Sequence, residues 1–502
     1  MKRFITCLLT LIFTSCHLSI IAQVIPADSS ILNYRLIGFS VPEQKGVTGY
    51  EFEVLQLTRS GTGAIVETSV FKKRTNTNRL IETVPQFGKT YKWRVNYYKR
   101  KKPAGSSDVY SFSTGYSRFV DTSKYRLRVT VNNMRNNARY VFADGSHALY
   151  NLEGEALWYL PDIPGVVDET SAIRDIKATN RGTITFLTEN NIYEIDYRGK
   201  ILWQGPNDGA VNGDKAEHYH HEFTRLSNGN YMVCGNETYW AAIPKDADAD
   251  DNKYRHAKEI DGRYRIPVRC GTLIEYDNKG KVVWQWKSSL MFGDSFLLHA
   301  DKSKDGSVDP RTHLNGFYFD EKKQNIYLSF RDINSIVKIS YPSGKKLAAF
   351  GQYGGQTAAD GKLPFYGQHC CRVNRKGELY LFNNNTVGNL EKGDASTVII
   401  ASESREQKEY FDVNWEFSCD MNDSVKTVSS SGGSVYELHD GLMLVSMGAV
   451  NRLFIVAGNK ELRWNAFIEA KPVDHWRGVS NYRSSILEDD TILGQLLFAE
   501  TN

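Results

Sequence analysis

Residues 196–205 read DYRGKILWQG: an acidic turn, a glycine, and a short strand with tryptophan four positions past the glycine. The same arrangement occurs at 151–160 (NLEGEALWYL) and 277–286 (DNKGKVVWQW), with looser copies at 340–351 (SYPSGKKLAAFG) and 457–467 (AGNKELRWNAF). A second recurring element is a tight turn feeding an apolar strand: NRGTITFLTEN at 180–190, LSNGNYMVCGN at 226–236, RKGELYLFNNN at 375–385 and LHDGLMLVSMG at 438–448. Asn-Gly, Lys-Gly and Asp-Gly pairs supply the positive-φ residues that tight hairpin turns require. A repeated unit of this kind cannot bury its apolar face alone and must stack on its neighbours. Six units can be traced, near 138–160, 171–204, 221–288, 313–351, 368–417 and 433–468. Repeated antiparallel sheets of this size predict an all-β fold, a six-bladed β-propeller over 119–502. An array of β-sandwiches is the alternative, and the regular Gly-to-Trp step argues against it. The longest insertions, 240–268 and 289–312, are expected to project from one face and shape a site there.

Upstream of the repeats, GYEFEVLQL (49–57), TSVFKK (68–73) and KTYKWRVNYY (89–98) alternate apolar and polar residues over strand lengths. This period-two pattern predicts a small β-sandwich of fibronectin type III-like kind over 23–118, with Trp93 facing its core. The basic run Lys99–Arg100–Lys101–Lys102 is expected at a hairpin tip. At the N-terminus, Lys2 and Arg3 precede the apolar run FITCLLTLIF and then small residues. That order reads as a signal peptide over 1–22, cleaved after Ala22, and implies export to the periplasm. FTSC at 13–16 offers a second reading, a lipoprotein anchored through Cys16. The apolar run is too short to span a bilayer.

A formal charge of +4 over 502 residues, with no basic stripe, gives no footprint for nucleic acid. Cleavage after Ala22 leaves Cys234, Cys270, Cys370, Cys371 and Cys419, an odd number. Cys234 and Cys270 meet on neighbouring strands in one reading; buried free thiols are the other.

Histidines cluster where the units begin. HYHHEF places His220 and His221 ahead of the third unit's strand, RTHLNGFYF places His313 ahead of the fourth, and GQHCCRV places His369 ahead of the fifth. Arg331 is expected after the first strand of the fourth unit, in YLSFRDINSIVKI. In a propeller the first strand of each blade lines the axis, so residues entering it from one end converge. A single such histidine is more often structural; three at like places in successive repeats point to a site.

Four stretches resemble the successive signatures of bacterial arylsulfate sulfotransferases that use no nucleotide donor. They are HHEFTRLSNGNYMV (220–233), THLNGFYFDEKKQNIYLSFRDINSIVKIS (312–340), LAAFGQYGG (347–355) and YGQHCCRVNRKGELYLFNN (366–384). The resemblance covers roughly 125–485. It implies a β-sandwich followed by a six-bladed propeller, a homodimer, an aryl sulfate donor and a phenolic acceptor. It also implies that His369 is transiently sulfated, with His221, His313 and Arg331 around the sulfuryl group. Asn315, two past His313, is a further substrate-binding position, as is His220 beside His221. His218 reads as a solvated loop residue.

The residue chemistry suits that implication. Sulfuryl transfer resembles phosphoryl transfer, with a loose transition state whose charge sits on three equatorial oxygens. A neutral imidazole is a competent nucleophile, and a guanidinium presents paired planar donors to a sulfate. Passage through a histidine makes the reaction ping-pong and needs no cofactor; no phosphate-cradling glycine loop is present. Three other readings compete. A zinc site fits three histidines but not Arg331 at the same place. A non-catalytic propeller that binds a sulfated glycan or a protein partner would use the same residues. A hydrolytic sulfatase lacks its Cys-x-Pro-x-Arg motif here. Finally, DADADDNKYRHAKE at 246–259 has calcium-loop spacing, but Lys253 stands where the sharp turn needs glycine, so it reads as a solvated acidic insertion.

Overall fold

In the computed structural model the chain is described at residues 24–135, 138–168, 170–246, 254, 256–298, 312–355, 363–387, 390–391 and 394–498. Residues 1–22 with Cys16, and most of the acidic stretch 246–259, lie outside the described residues.

The repeats build six antiparallel sheets. Their innermost strands are Ser484–Leu487, Arg174–Ala178, His220–Arg225, Leu314–Asp320, His369–Val373 and Ser434–Glu437. These six touch one another in that order and the last touches the first, so the sheets form a closed ring, the propeller that the repeats predict. The ring is locked by its two ends. Ser484–Leu487, from the C-terminus, becomes the inner strand of the first sheet by pairing with Tyr140–Ala143. Tyr125–Asn132, at the start of the ring, adds to the outer strand Leu462–Ala470 of the sixth. Closing a ring with strands from both ends leaves no seam held by side chains alone.

The Gly-to-Trp motif explains why neighbours stack. It comprises the turn before the outer strand of a sheet and that strand itself, and the indole reaches the same turn of the next sheet. Trp158 Nε1 donates to the Tyr197 carbonyl (2.8 Å), Trp284 to Pro342 (2.7 Å), Trp415 to Gly458 (2.8 Å) and Trp464 to Leu152 (2.8 Å). In the second sheet Trp203 instead stacks on Tyr231 of the third, ring centroids 3.8 Å apart. In the fourth, which lacks the tryptophan, Phe350 stacks on Phe411 of the fifth at 3.7 Å. The four indole hydrogen bonds satisfy tryptophan's one donor, and the rings of Trp158, Trp464, Trp203 and Phe350 are buried at these contacts. Apolar wedges fill the remaining space between sheets, for example Leu226, Met232, Leu273, Leu314, Leu328 and Val337 between the third and fourth.

Ahead of the ring, the strands Ser30–Leu32, Tyr110–Thr114, Thr90–Lys99, Gly49–Arg59 and Ile65–Thr75 form one sheet in that order, and Leu36–Ser40 pairs with Arg79–Thr83 in another. Trp93 is 1% exposed and sits 5.3 Å from Phe39. Lys99 pairs with Lys102 across a turn whose central residues, Arg100 and Lys101, have positive φ. The core of this unit is continuous with Phe142, Leu149, Trp158 and Phe186 of the first two sheets. The helix Asp490–Phe498 seals that junction, burying Leu493, Leu496 and Leu497. Leu497 and Phe498 come so close to Gly38 that a Cβ there would lie 2.8 Å from the Phe498 ring.

The structure details the 240–268 insertion, bears out the buried free thiols at Cys234 and Cys270, and corrects the place of Arg331. The insertion at 240–268 is, where described, a long extension of two paired strands, Tyr231–Ala242 and Arg263–Tyr276, capped by Lys258–Ile260. Cys234 and Cys270 lie on these neighbouring strands, but Cys234 is opposite Leu273 and Cys270 opposite Glu237, and neither thiol is bonded. Arg331 follows the second strand of its sheet, Asn325–Phe330, rather than the first. An antiparallel second strand returns to the end where the first began, which is why Arg331 still reaches the same rim; its N–H donates to the His313 carbonyl (3.0 Å).

Candidate functional site

The inner strands of four successive sheets are irregular at one end. Register slips between Arg174 and Lys177, His220 and Phe223, Leu314 and Gly316, and His369 and Arg372. Asp175, His221, His313 and Cys370 take left-handed backbone conformations there, with φ of 57°, 62°, 50° and 54°. A bulge re-aims side chains that a regular strand would send alternately to two faces. His220, His221, His313 and His369 therefore approach one another at the rim of the axial channel. They are not strictly equivalent: His221 and His313 hold the left-handed place, whereas His369 precedes it and Cys370 fills it.

His369 is 2% exposed. Its Nδ1 lies 2.8 Å from Asn384 Oδ1 and 3.1 Å from the Gly367 carbonyl, two acceptors. The Asn384 amide is oriented by its own Nδ2, which donates to the Ser429 and Gly432 carbonyls (3.0 Å each). Nδ1 must therefore carry the proton, and Nε2 keeps its lone pair. Burial, and next the charge of Arg331, hold the ring pKa down to about 3, against the opposing Asn384 acceptor. Gly367 is small because its backbone packs against a neighbouring segment. At φ 62° it passes so close to Thr386 that a Cβ would lie 2.4 Å from Oγ1.

The other imidazoles form a chain. His220 Nδ1 meets His221 Nδ1 at 2.7 Å, His221 Nε2 meets His313 Nε2 at 3.2 Å, and His313 Nδ1 meets Asp332 Oδ2 at 3.3 Å. Burial and then the neighbouring imidazoles push His221 well below its ordinary pKa. Burial and then His313 push His220 down to about 3, with the Asn236 side chain and Gly235 backbone acting the other way. Arg331 is 5% exposed, and its Nη1 lies 3.6 Å from Asp332 Oδ1. Asn315 is fully buried and donates to the Gln368 carbonyl (2.7 Å), one residue before His369. In this structure that contact fixes the backbone of His369. His218 lies out in an exposed loop, 3.3 Å from Asp214.

Several residues of the site went unread in the sequence. Tyr482 lies edge-on to both His221 (5.7 Å) and His369 (6.2 Å), with the Arg174 guanidinium 5.2 Å from its ring centre. Its hydroxyl is buried, and burial pushes it up to about 12 although Arg483, Arg174 and Arg331 pull it back. Below the imidazoles the channel is plugged by charge. Glu222 accepts from Arg372 (2.8 Å), Arg483 (2.5 Å) and Lys177 (3.1 Å), and Asp175 from Lys177 (2.7 Å) and Arg483 (3.2 Å). Burial alone would raise the Glu222 carboxyl; the three cations around it hold it well below the carboxylate range instead. Three cations against two carboxylates, with Arg331, Arg174 and the single carboxylate of Asp332 above, leave an excess of positive charge suited to an anion.

Both vicinal thiols are buried and turned away from the imidazoles. Cys370 Sγ faces the Val435 carbonyl (3.4 Å) and Cys371 Sγ the Tyr327 carbonyl (3.8 Å). The reason is the left-handed backbone at Cys370, not the alternation of an extended strand. Among the described residues, no three His, Cys, Asp or Glu side chains are placed to hold a metal ion.

Solved structures similar to the chain include a Bacteroides caccae protein of unknown function, 13% identical over 73% of this chain and 100% of that one, with a TM-score of 0.39. Others are a catalytically inactive virginiamycin B lyase from Staphylococcus aureus (12% identity, 68% of this chain and 85% of that one, TM-score 0.34) and AztD from Citrobacter koseri (7%, 88% and 98%, 0.30). No curated protein matches the sequence. The family model for arylsulfotransferase (ASST) matches residues 121–451, which span the inner strands of five of the six sheets, and the chain belongs to that family.

Proposed function

We propose that the protein moves a sulfuryl group from an aryl sulfate to a second phenol in two steps through His369 Nε2. The observation that carries this reading is the fixed tautomer of His369: a neutral ring with Nδ1–H tied to Asn384 and its other nitrogen free to attack. In the first step Nε2 forms an N–S bond while the S–O(aryl) bond breaks, and the electron pair leaves on the phenolic oxygen, which takes a proton. In the second the acceptor phenol attacks sulfur, the N–S bond breaks, and the phenolic proton passes to the protein. Arg331, whose charge is felt at His369, faces the equatorial oxygens, and preorganised donors of this kind stabilise charge as it develops. Asn315 supports the reaction by holding the strand that carries the nucleophile.

The test is turnover of a chromogenic aryl sulfate with and without an added phenol. Transfer that depends on the acceptor supports the reading; release of inorganic sulfate alone would make the protein a sulfatase, and no turnover would favour a binder of sulfated ligands. We also infer export through residues 1–22. N-terminal analysis of protein from the periplasmic fraction distinguishes cleavage after Ala22 from a lipidated Cys16, and gel filtration tests the homodimer that the family resemblance implies.

A further inference from the structure

The two-step reading leaves open which group lends the leaving oxygen its proton. His221 and His313 present their Nε2 atoms to each other at 3.2 Å, and both rings lie close enough to His369 for their charges to be felt between them. Their other nitrogens differ. His221 Nδ1 faces another imidazole, His220, at 2.7 Å. His313 Nδ1 faces the carboxylate of Asp332 at 3.3 Å, and the Asp332 side chain has no exposed surface. We propose that His313 is the acid and base of the reaction and that Asp332 is the positioning residue that makes it so. This inference rests on the sulfuryl-transfer reading.

The hydrogen count decides between the two rings. Each shared nitrogen pair holds one proton. The Asp332 carboxylate 3.3 Å from His313 Nδ1 favours the tautomer with its hydrogen on that side, so in the unprotonated chain His313 Nε2 accepts from His221 Nε2–H, and His221 Nδ1 accepts from His220 Nδ1–H. One added proton makes His313 an imidazolium with hydrogens on both nitrogens; His221 then shifts to Nδ1–H and His220 to Nε2–H, so each shared pair still holds one. Among the described residues, His313 is the one ring of the three with a carboxylate beside its second nitrogen. The same proton on His221 would sit between two imidazoles in a buried place with no carboxylate. In the first step His313 Nε2–H passes its proton to the phenolic oxygen as the S–O bond breaks, leaving the neutral ring with Nδ1–H still on Asp332. In the second step the acceptor phenol returns a proton to Nε2, and the balance closes over one cycle. Arg331 shares the carboxylate at 3.6 Å, so Asp332 also aligns the guanidinium. That contribution does not depend on the leaving group.

Leaving-group acidity separates the roles. Phenol, about as acidic as a tyrosine side chain at about 10, needs the proton as it departs, whereas 4-nitrophenol is acidic enough to leave without it. Single-turnover labelling of wild type and Asp332→Asn is compared with phenyl sulfate and with 4-nitrophenyl sulfate, read by intact mass. Loss of a general acid predicts about a hundredfold or greater slowing with phenyl sulfate and less than about fivefold with 4-nitrophenyl sulfate. Equal slowing on both donors would reduce Asp332 to an aligner of Arg331 and overturn the proposal, as would no slowing on either. If Asp332→Asn does not fold, the pair His313→Gln and His221→Gln decides. The first must show the donor discrimination and the second must not; the reverse pattern overturns the assignment. Absence of any label on wild type with 4-nitrophenyl sulfate is a different failure, that of the two-step reading itself.

Discussion

His369 and His313 stand on neighbouring inner strands and are held from behind at matching places. Each is steadied by a residue just past the second strand of its own sheet: Asn384, two beyond Phe382, and Asp332, two beyond Phe330. Phe382 and Phe330 in turn pair with His369 and with Leu314, next to His313. One position carries a neutral amide and the other a carboxylate. An amide oxygen fixes a tautomer and favours a positive ring only through its dipole; a carboxylate fixes it and adds a full opposite charge. The difference teaches how one ring of sheets makes a nucleophile and a proton carrier from the same side chain. Burial keeps His369 neutral, and Asp332 gives His313 a partner for a positive charge.

The comparison breaks most visibly at the nucleophile. His369→Asn removes the attacking nitrogen, and turnover is expected to fall at least about ten-thousandfold with no covalent label, since losing a nucleophile removes the whole route. His313→Asn and His221→Asn are expected to be slow but still labelled at long times by a reactive donor. Labelling of His369→Asn at the wild-type rate would place the nucleophile elsewhere. Arg331→Lys keeps the charge and loses the planar fork, so about a hundredfold loss in turnover is expected. Near-normal turnover in a folded variant would make the arginine structural.

Exchanging the supports sharpens the comparison further. Asn384→Asp puts a carboxylate behind His369 and should raise its pKa from about 3 towards or past its ordinary 6.5. The wild-type pH–rate profile should show no acid limb from His369 above about pH 4, whereas the variant should lose about tenfold or more between pH 7 and 5.5 as the nucleophile becomes protonated. Identical profiles would mean that the amide does not govern the ring.

Much of this architecture was legible in the sequence, and what was missed shares a cause. The Gly-to-Trp step announced the ring because it encodes a contact between neighbours, an indole on the next sheet's turn. The histidines stood out because their residue type is rare and their placement recurs. Asn384 and Asp332 were printed inside the stretches that carried the resemblance, yet asparagine after a strand and aspartate in a turn are ordinary turn residues. Only the antiparallel return of the second strand brings them behind the imidazoles, and that is a fact of pairing rather than of spacing. Tyr482 and Arg483 immediately precede a short strand, Ser484–Leu487, borrowed from the far end of the chain to complete the first sheet. The helix Asp490–Phe498 was missed for the same reason: its apolar face is meaningful only against Gly38 and the strand around it.

A smaller effect should appear in stability. His147, His220 and His369 are held by burial at about 4, 3 and 3, and burial also holds His221 well below its ordinary value. Each binds its proton in the unfolded chain near pH 6.5 but not in the folded one, so stability falls as pH drops from 6.5 towards 3, by about 1.4 kcal/mol per pH unit for each group. Asp144 opposes one of them, because burial raises its carboxyl to about 7 and folding then favours its proton between about 3.8 and 7. Urea midpoints that stay flat or rise from pH 6.5 to 4 would contradict the neutral burial of these rings. The smallest change is expected from replacing Cys370 and Cys371 together with serine. The label should persist, with a loss of about 1–3 kcal/mol for each buried hydroxyl left short of a partner.

The central claim is that sulfur is carried on His369 Nε2. Brief mixing of the protein with 4-nitrophenyl sulfate, followed by intact mass and peptide mapping at neutral or basic pH, tests it directly. One sulfuryl group on the peptide containing His369, stable to base, labile to acid and discharged by added phenol, is the predicted result. A label on His313, His221 or a cysteine, or product formed at full rate with no labelled protein at any time, would contradict it.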